Sequence, residues 1–184
     1  MSLAFGEAVR RTGGGGHSAA RPPAAGAGGE TMSEARTPLC RVRPEWVDHY
    51  GHMNLAYYLV AFDMATDALW PGLNLGEAFR ARGLGTFAVE SWRGYAREVL
   101  LDAPLAADSA VLAFDAKRLL IGHRLYHAEE GWLSAENEVL FLCVDLATRR
   151  VAAWPEDVLA QFAAARSAEA PRRLALKRAA VSVP

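Results

Sequence analysis

The chain has 184 residues, 52% of them hydrophobic, with 20 Lys and Arg against 21 Asp and Glu for a net charge of −1. That length suits one domain with tails, and a charge so near zero gives no reason to expect nucleic acid or an anionic membrane as a partner. No apolar run approaches the ~18–20 residues of a membrane helix. The two cysteines, Cys40 and Cys143, read as buried thiols of a reducing, cytoplasmic compartment rather than as a disulfide.

Residues 1–37 are Gly, Ala, Pro, Arg and Ser with few large apolar residues. They cannot bury a core and are expected to be a disordered extension. Residues 38–168 are expected to form the domain, and 169–184 a mobile basic tail. Leu39–Val47 reads as a first strand, with Pro44 tolerated only at an open edge or a bulge. From Asn54 to Trp70 there is neither Gly nor Pro, and Leu55, Tyr58, Leu59, Phe62, Thr66 and Leu69 recur at helical spacing. Asn54 suits the N-cap, and Pro71-Gly72 the end. A shorter helical piece is expected over Leu75–Ala81. Strands then follow at 86–100, with a bulge at Gly94, at 108–119, at 120–128 and at 132–146. Asp102–Leu105 and Glu129–Gly131 supply turns, and 154–165 forms a last short helix. One long helix must serve a whole antiparallel sheet, and the compact solution wraps the sheet around it. The expected class is α+β with about five strands.

The polar residues cluster before the long helix, in D-H-Y-G-H-M-N-L-A-Y-Y at 48–58. This resembles the D-x-x-G-H-x-N-x-x-x-Y signature of hotdog-fold acyl-CoA thioesterases of the 4-hydroxybenzoyl-CoA thioesterase type, whose long central helix and wrapping sheet match the element order. A-F-D-M-A-T-D-A-L-W at 61–70, V-E-S at 89–91, D-A-K-R-L at 115–119 and H-R-L-Y at 123–126 are similar to the betainyl-CoA thioesterase branch, which acts in carnitine breakdown. The resemblance covers about residues 39–157. It implies hydrolysis of an acyl-CoA to carboxylate and CoA, with no metal or redox cofactor, by a homodimer or homotetramer whose sites lie between subunits.

Thiolate is a good leaving group, so a thioesterase needs an attacking group and stabilisation of the developing oxyanion. The resemblance assigns the first to Asp48, as nucleophile or as base toward water. It assigns the second to the backbone N–H of Leu55, unpaired at a helix N-terminus. Gly51 allows the tight turn between them. His52 and Asn54 belong to the motif, His52 as a loop-orienting residue or a partner of Asp48. Glu90 is the candidate for the acid that related enzymes place on a central strand. Tyr58, Trp92 and Tyr95 are candidates for the acyl pocket, together with Trp70, and their faces would attract a trimethylammonium group. Lys117 and Arg118 are candidates for the phosphates of CoA. His49 and His52 lack the further donors of a metal site, and His123 and His127 read as cross-strand or surface residues. Ser91 lacks a nucleophile-elbow context. A hotdog hydratase and a non-catalytic acyl-CoA-binding protein remain as alternatives, and fold alone does not exclude them.

Overall fold

Pro44 divides the first apolar stretch. In the computed structural model of the chain, which describes residues 36–177, β1 (Thr37–Arg41) stops before it. Pro44–Trp46 form a single 3-10 turn in place of the strand expected to run on to Val47. Proline fixes φ and has no N–H for a ladder, so a turn is the favoured outcome. The turn buries Trp46 and leads straight into the polar loop.

The long helix, α1 (Leu55–Leu69), has its expected cap: Asn54 Oδ1 accepts the Ala56 N–H at 3.0 Å. It ends in the 3-10 turn Trp70–Leu73, which contains Pro71. Its buried stripe is Tyr58, Ala61, Phe62, Ala65 and Thr66. That stripe is rotated from the expected one, since Leu55 and Leu59 face outward. Alanines at 61 and 65 let the helix backbone come close to the sheet, where leucines would hold it off.

α2 (Glu77–Ala81), β2 (Leu84–Tyr95), β3 (Pro104–Phe114), β4 (Arg118–His127), β5 (Leu133–Asp145), the two-residue β6 (Arg150–Val151) and α3 (Glu156–Ala164) complete the described elements. The sheet order is β1-β3-β4-β5-β2, with β6 added to β5, and every pairing is antiparallel. Several expectations shift: β2 ends at Tyr95 and not at 100, and β3 begins at Pro104, inside the turn expected over 102–105. The β3–β4 turn falls at Asp115–Lys117, where Asp115 Oδ1 accepts the N–H groups of Lys117 and Arg118, both at 2.9 Å. The irregularity in β2 lies between Ala88 and Glu90, not at Gly94. Gly94 has a different reason to be glycine: a Cβ there would stand 2.6 Å from the Trp92 ring.

The sheet buries both faces. On the helix side, Tyr58 and Phe62 pack with Leu105 and Leu125, while Phe79, Ile121, Phe141 and Phe162 pack around Trp154 nearer α2 and α3. On the outer face, Leu112, Leu120 and Leu140 are covered by Leu174 and Leu176. Residues 169–177, read from the sequence as part of a mobile tail, thus lie along the sheet. The buried carboxylate of Glu138 accepts three successive N–H groups, from Arg172, Arg173 and Leu174, at 2.8–3.0 Å. Arg173 stacks over Trp92, and Arg172 pairs with Glu136. The extension expected over 1–37 gives way at its end, where Arg36 stacks over Tyr126 and Thr37 opens β1, and the remaining expectations for it and for the tail fall on residues outside those described.

His123 holds a cross-strand position, as one of the two expectations had it, opposite Ser109 of β3, but it is buried beneath α1 and not at a surface. Thr66 Oγ1 gives its one proton to the Phe62 carbonyl at 2.9 Å, so the contact of 3.1 Å with His123 Nε2 makes the imidazole the donor there. Nδ1 then accepts from Ser109 at 2.8 Å. Burial pushes the imidazole pKa down from 6.5 to about 3.

Two predictions follow from these buried groups. The unfolded chain protonates His123 below pH 6.5 while the native chain does so only near 3, so stability present above 6.5 is lost as pH falls through that window, on the order of 4 kcal/mol in all. His123→Gln should flatten the dependence of Tm on pH between 6.5 and 4. Glu138→Ala should cost about 2–3 kcal/mol by stranding its donors. It should also speed tryptic cleavage at Arg172 and Arg173, read as the rate of loss of the intact chain.

Candidate active site

The loop before α1 is a miniature hairpin. Val47 bridges Met53, the Asp48 N–H donates to the His52 carbonyl at 3.1 Å, and the Gly51 N–H donates to the Asp48 carbonyl at 3.0 Å. Gly51 sits at φ +90° with open space where a Cβ would be, so conformation alone accounts for the glycine. The Asn54 N–H closes the loop onto the Trp46 carbonyl at 2.8 Å. Asp48 therefore lies on the first arm of a hairpin whose second arm runs directly into α1.

Asp48 is half-buried. Its Oδ1 accepts the Tyr50 N–H at 2.8 Å, and Oδ2 has no protein partner among the described residues. One oxygen anchors the carboxylate and the other remains available for chemistry. Leu55 is the first residue of α1, where N–H groups have no acceptor within the helix and carry the positive end of its dipole. Asn54 spends its side-chain oxygen on the cap, which is a structural task.

A second loop, 96–103, flanks the first. The Met53 N–H donates to the Val99 carbonyl at 2.9 Å, and His52 bridges Leu100. Glu98 Oε2 lies 3.3 Å from His52 Nε2. His52 thus meets an acid, but that acid is Glu98 and not Asp48. Tyr58 lies beneath, buried, with Tyr95 edge-on to it at 5.0 Å between ring centroids. Burial raises the Tyr58 pKa above its ordinary value, and hydrogen bonds with Ser134 and Val99 act against the rise. Ser134 in turn donates to the Arg97 carbonyl at 2.7 Å and holds the second loop.

The sequence candidates divide into two groups. Asp48, Gly51, His52, Asn54, Leu55, Tyr58 and Tyr95 gather at the mouth of α1. Glu90 and Trp92 pair with Leu140 and Glu138, whose side chains face away from the helix. Strand alternation places both residues on the outer face. Lys117 and Arg118 lie on the β3–β4 turn beside a cavity of about 470 Å³ lined also by Val89, Leu140 and Leu142. Arg118 is engaged there with Asp115 at 2.8 Å. Trp70, at the far end of α1, borders a larger cleft of about 860 Å³ with Asp67, Glu77 and Arg82. Within one chain neither cavity opens at the loop. Among the described residues no group of three or more His, Cys, Asp and Glu converges as metal ligands would, and no helix is long and apolar enough to cross a membrane.

Glu98 and Ser134 were not legible as site residues. Glu98 looks like one more polar residue of a strand expected to run to 100, and only the pairing of Met53 with Val99 brings it to His52.

Residues 42–162 match the family model described as the Thioesterase-like superfamily. The chain is 39% identical over 146 residues to the betainyl-CoA thioesterase of Pseudomonas aeruginosa, spanning 79% of this chain and 89% of that protein. It is 36% identical over 110 residues to an L-carnitine dehydrogenase/betainyl-CoA thioesterase of Agrobacterium fabrum, over 60% of this chain and 22% of that longer protein. In fold it is similar to a Staphylococcus aureus protein solved in complex with CoA. The TM-score is 0.64 at 22% identity, with 84% of this chain and 100% of that one covered. The α+β hotdog arrangement, a long helix wrapped by an antiparallel sheet, is the one expected from the sequence.

Asn54→Ala removes the cap of α1 and should lower stability by about 1 kcal/mol, read as a shift in the denaturation midpoint.

Proposed function

The chain belongs to the Thioesterase-like superfamily, and on that premise we propose that it hydrolyses an acyl-CoA thioester to a carboxylate and free CoA. The observation that supports this reading is the closed hairpin, which sets one carboxylate, Asp48, in the loop that leads directly into the N-terminus of the longest helix. The Leu55 N–H, first of α1, stabilises the oxygen that becomes negative, since those of Ala56 and Tyr57 are taken by Asn54. Asp48 supplies the attack. Either its Oδ2 adds to the carbonyl, CoA thiolate leaves the tetrahedral adduct and the mixed anhydride that results is hydrolysed by water, or the carboxylate takes the proton of a water that attacks the carbonyl directly. Both routes end in carboxylate and thiol, and neither draws on a metal or redox cofactor.

The 39% identity to a betainyl-CoA thioesterase favours a short acyl group, betainyl first, and a place in carnitine catabolism. The cytoplasm is the compartment proposed, in keeping with the free thiols of Cys40 and Cys143. A homodimer is the assembly proposed, with a tetramer as a further step. β2 is a twelve-residue edge strand, and Leu55, Leu59 and Val60 present an apolar strip on the outward side of α1. Both features are liabilities that two-fold pairing would remove. Lys117 and Arg118 are kept as candidates for CoA phosphates, and Glu90 and Trp92 as candidates that reach a site only through such pairing.

The test is release of free thiol from a panel of acyl-CoAs: betainyl, short aliphatic, aromatic and long-chain. Hydrolysis of at least one is expected, and Asp48→Asn should cut its kcat at least ~100-fold with the melting temperature kept. Tight binding without turnover of any member would replace the enzyme by a binding protein. Near-full activity of Asp48→Asn would overturn the role of the carboxylate.

A further inference from the structure

In a betainyl thioester the quaternary nitrogen is two bonds from the reacting carbonyl carbon. Groups that recognise it must therefore stand beside the carbonyl itself, within a few ångströms of the helix mouth. This reach sorts the aromatic residues of the chain. Trp70 lies fifteen residues along α1 from Leu55, which at ~1.5 Å per residue is about 22 Å away. Trp92 points to the outer face and lies under Arg173, a cation already in place. Tyr95 is different. It is about half exposed and sits where β2 ends. It is fixed edge-on against the buried ring of Tyr58, which belongs to the first turns of α1.

Charge points to the same place. Glu98 lies three residues beyond Tyr95 on the loop that pairs with the motif, and its carboxylate is exposed beside His52. It is near enough to Tyr58 to act on that hydroxyl through its charge, as is Tyr95. Asp48 adds a second acid on the facing loop. Among the described residues neither neighbouring guanidinium forms an ion pair with Glu98: that of Arg97 stacks 4.1 Å over Trp132, and that of Arg43 lies 5.2 Å over Trp46. An aromatic ring held by a second ring and an exposed carboxylate are the elements that attract a trimethylammonium group, which has no proton to donate.

Resting on the thioesterase reading, we infer that Tyr95 and Glu98 form the subsite for a quaternary ammonium acyl group at the mouth of α1, with Tyr58 fixing the ring. The two are specificity determinants, since they act on the acyl group and not on the bond being broken. They also distinguish this site from one built for a neutral acyl chain, which a carboxylate beside the carbonyl would repel only weakly but would not reward.

The experiment compares betainyl-CoA with 3,3-dimethylbutanoyl-CoA, in which carbon replaces the nitrogen so that shape is kept and charge is lost. The full chain should favour betainyl-CoA in kcat/KM by at least about tenfold, the size of a cation–π contact reinforced by a carboxylate. Glu98→Gln and Tyr95→Leu should each lower that ratio severalfold, the loss falling mainly in KM. Both residues are exposed enough for the fold to persist, which melting curves verify. Equal kcat/KM for the two substrates, or variants that leave the ratio where it was, overturns the subsite while the thioesterase reading stands. Failure to hydrolyse any acyl-CoA overturns both.

Discussion

Everything in this fold depends on the narrow stripe by which α1 rests on the sheet. Tyr58, Ala61, Phe62, Ala65 and Thr66 are buried in a single line, and two of the five are alanines. Small side chains allow a close approach of helix and sheet. The stripe also carries one polar residue, Thr66, and it meets a polar residue of the sheet, His123. A neutral imidazole with both nitrogens satisfied is tolerable under a helix, whereas a charged one would not be. Position and register of α1 are thereby set by packing and by one hydrogen-bonded pair.

The site inherits its geometry from that placement. Once α1 is seated, its N-terminus is fixed, and the loop that leads into it can only close as a hairpin. Four backbone hydrogen bonds hold the hairpin: Asp48 to His52, Gly51 to Asp48, Met53 to Val99 and Asn54 to Trp46. The loop therefore has little freedom left, and Asp48 keeps one oxygen anchored by Tyr50. Preorganisation of this kind spares a reaction the cost of ordering its groups. The outer face shows the same economy in another form. Glu138 is a buried acid whose charge is spread over three backbone donors of the C-terminal strap, so an apolar patch and a carboxylate are covered by one segment.

Much of this was legible from residues alone. The N-cap at Asn54, the end of α1 at Pro71, the hairpin at 129–131 and the short last helix all follow from local chemistry, because caps and turns are written in neighbouring residues. The acid, glycine and asparagine of the motif were legible as a group for the same reason. Other features were not. The end of β1 at Arg41 and the β3–β4 turn at Asp115 compete with strong strand propensity on either side, and local devices decide them against it, the fixed φ of Pro44 and the Asp115 carboxylate that accepts the Lys117 and Arg118 N–H groups. The strap was read as a loose tail since basic residues without large periodicity look solvated, yet its backbone donors had an acid waiting 34 residues or more away.

What the sequence by itself determined is therefore the set of elements, their order, and the presence of an acid one tight turn from a helix start. These depend on interactions within a few residues. Only the tertiary structure decided which residues share the mouth of α1: that Glu98 and not Asp48 meets His52, that Tyr95 joins Tyr58, and that Glu90 and Trp92 turn to the other face. Those outcomes rest on strand register and on the irregularity between Ala88 and Glu90. A shift of one residue in a strand exchanges its two faces, and no local pattern fixes such a shift.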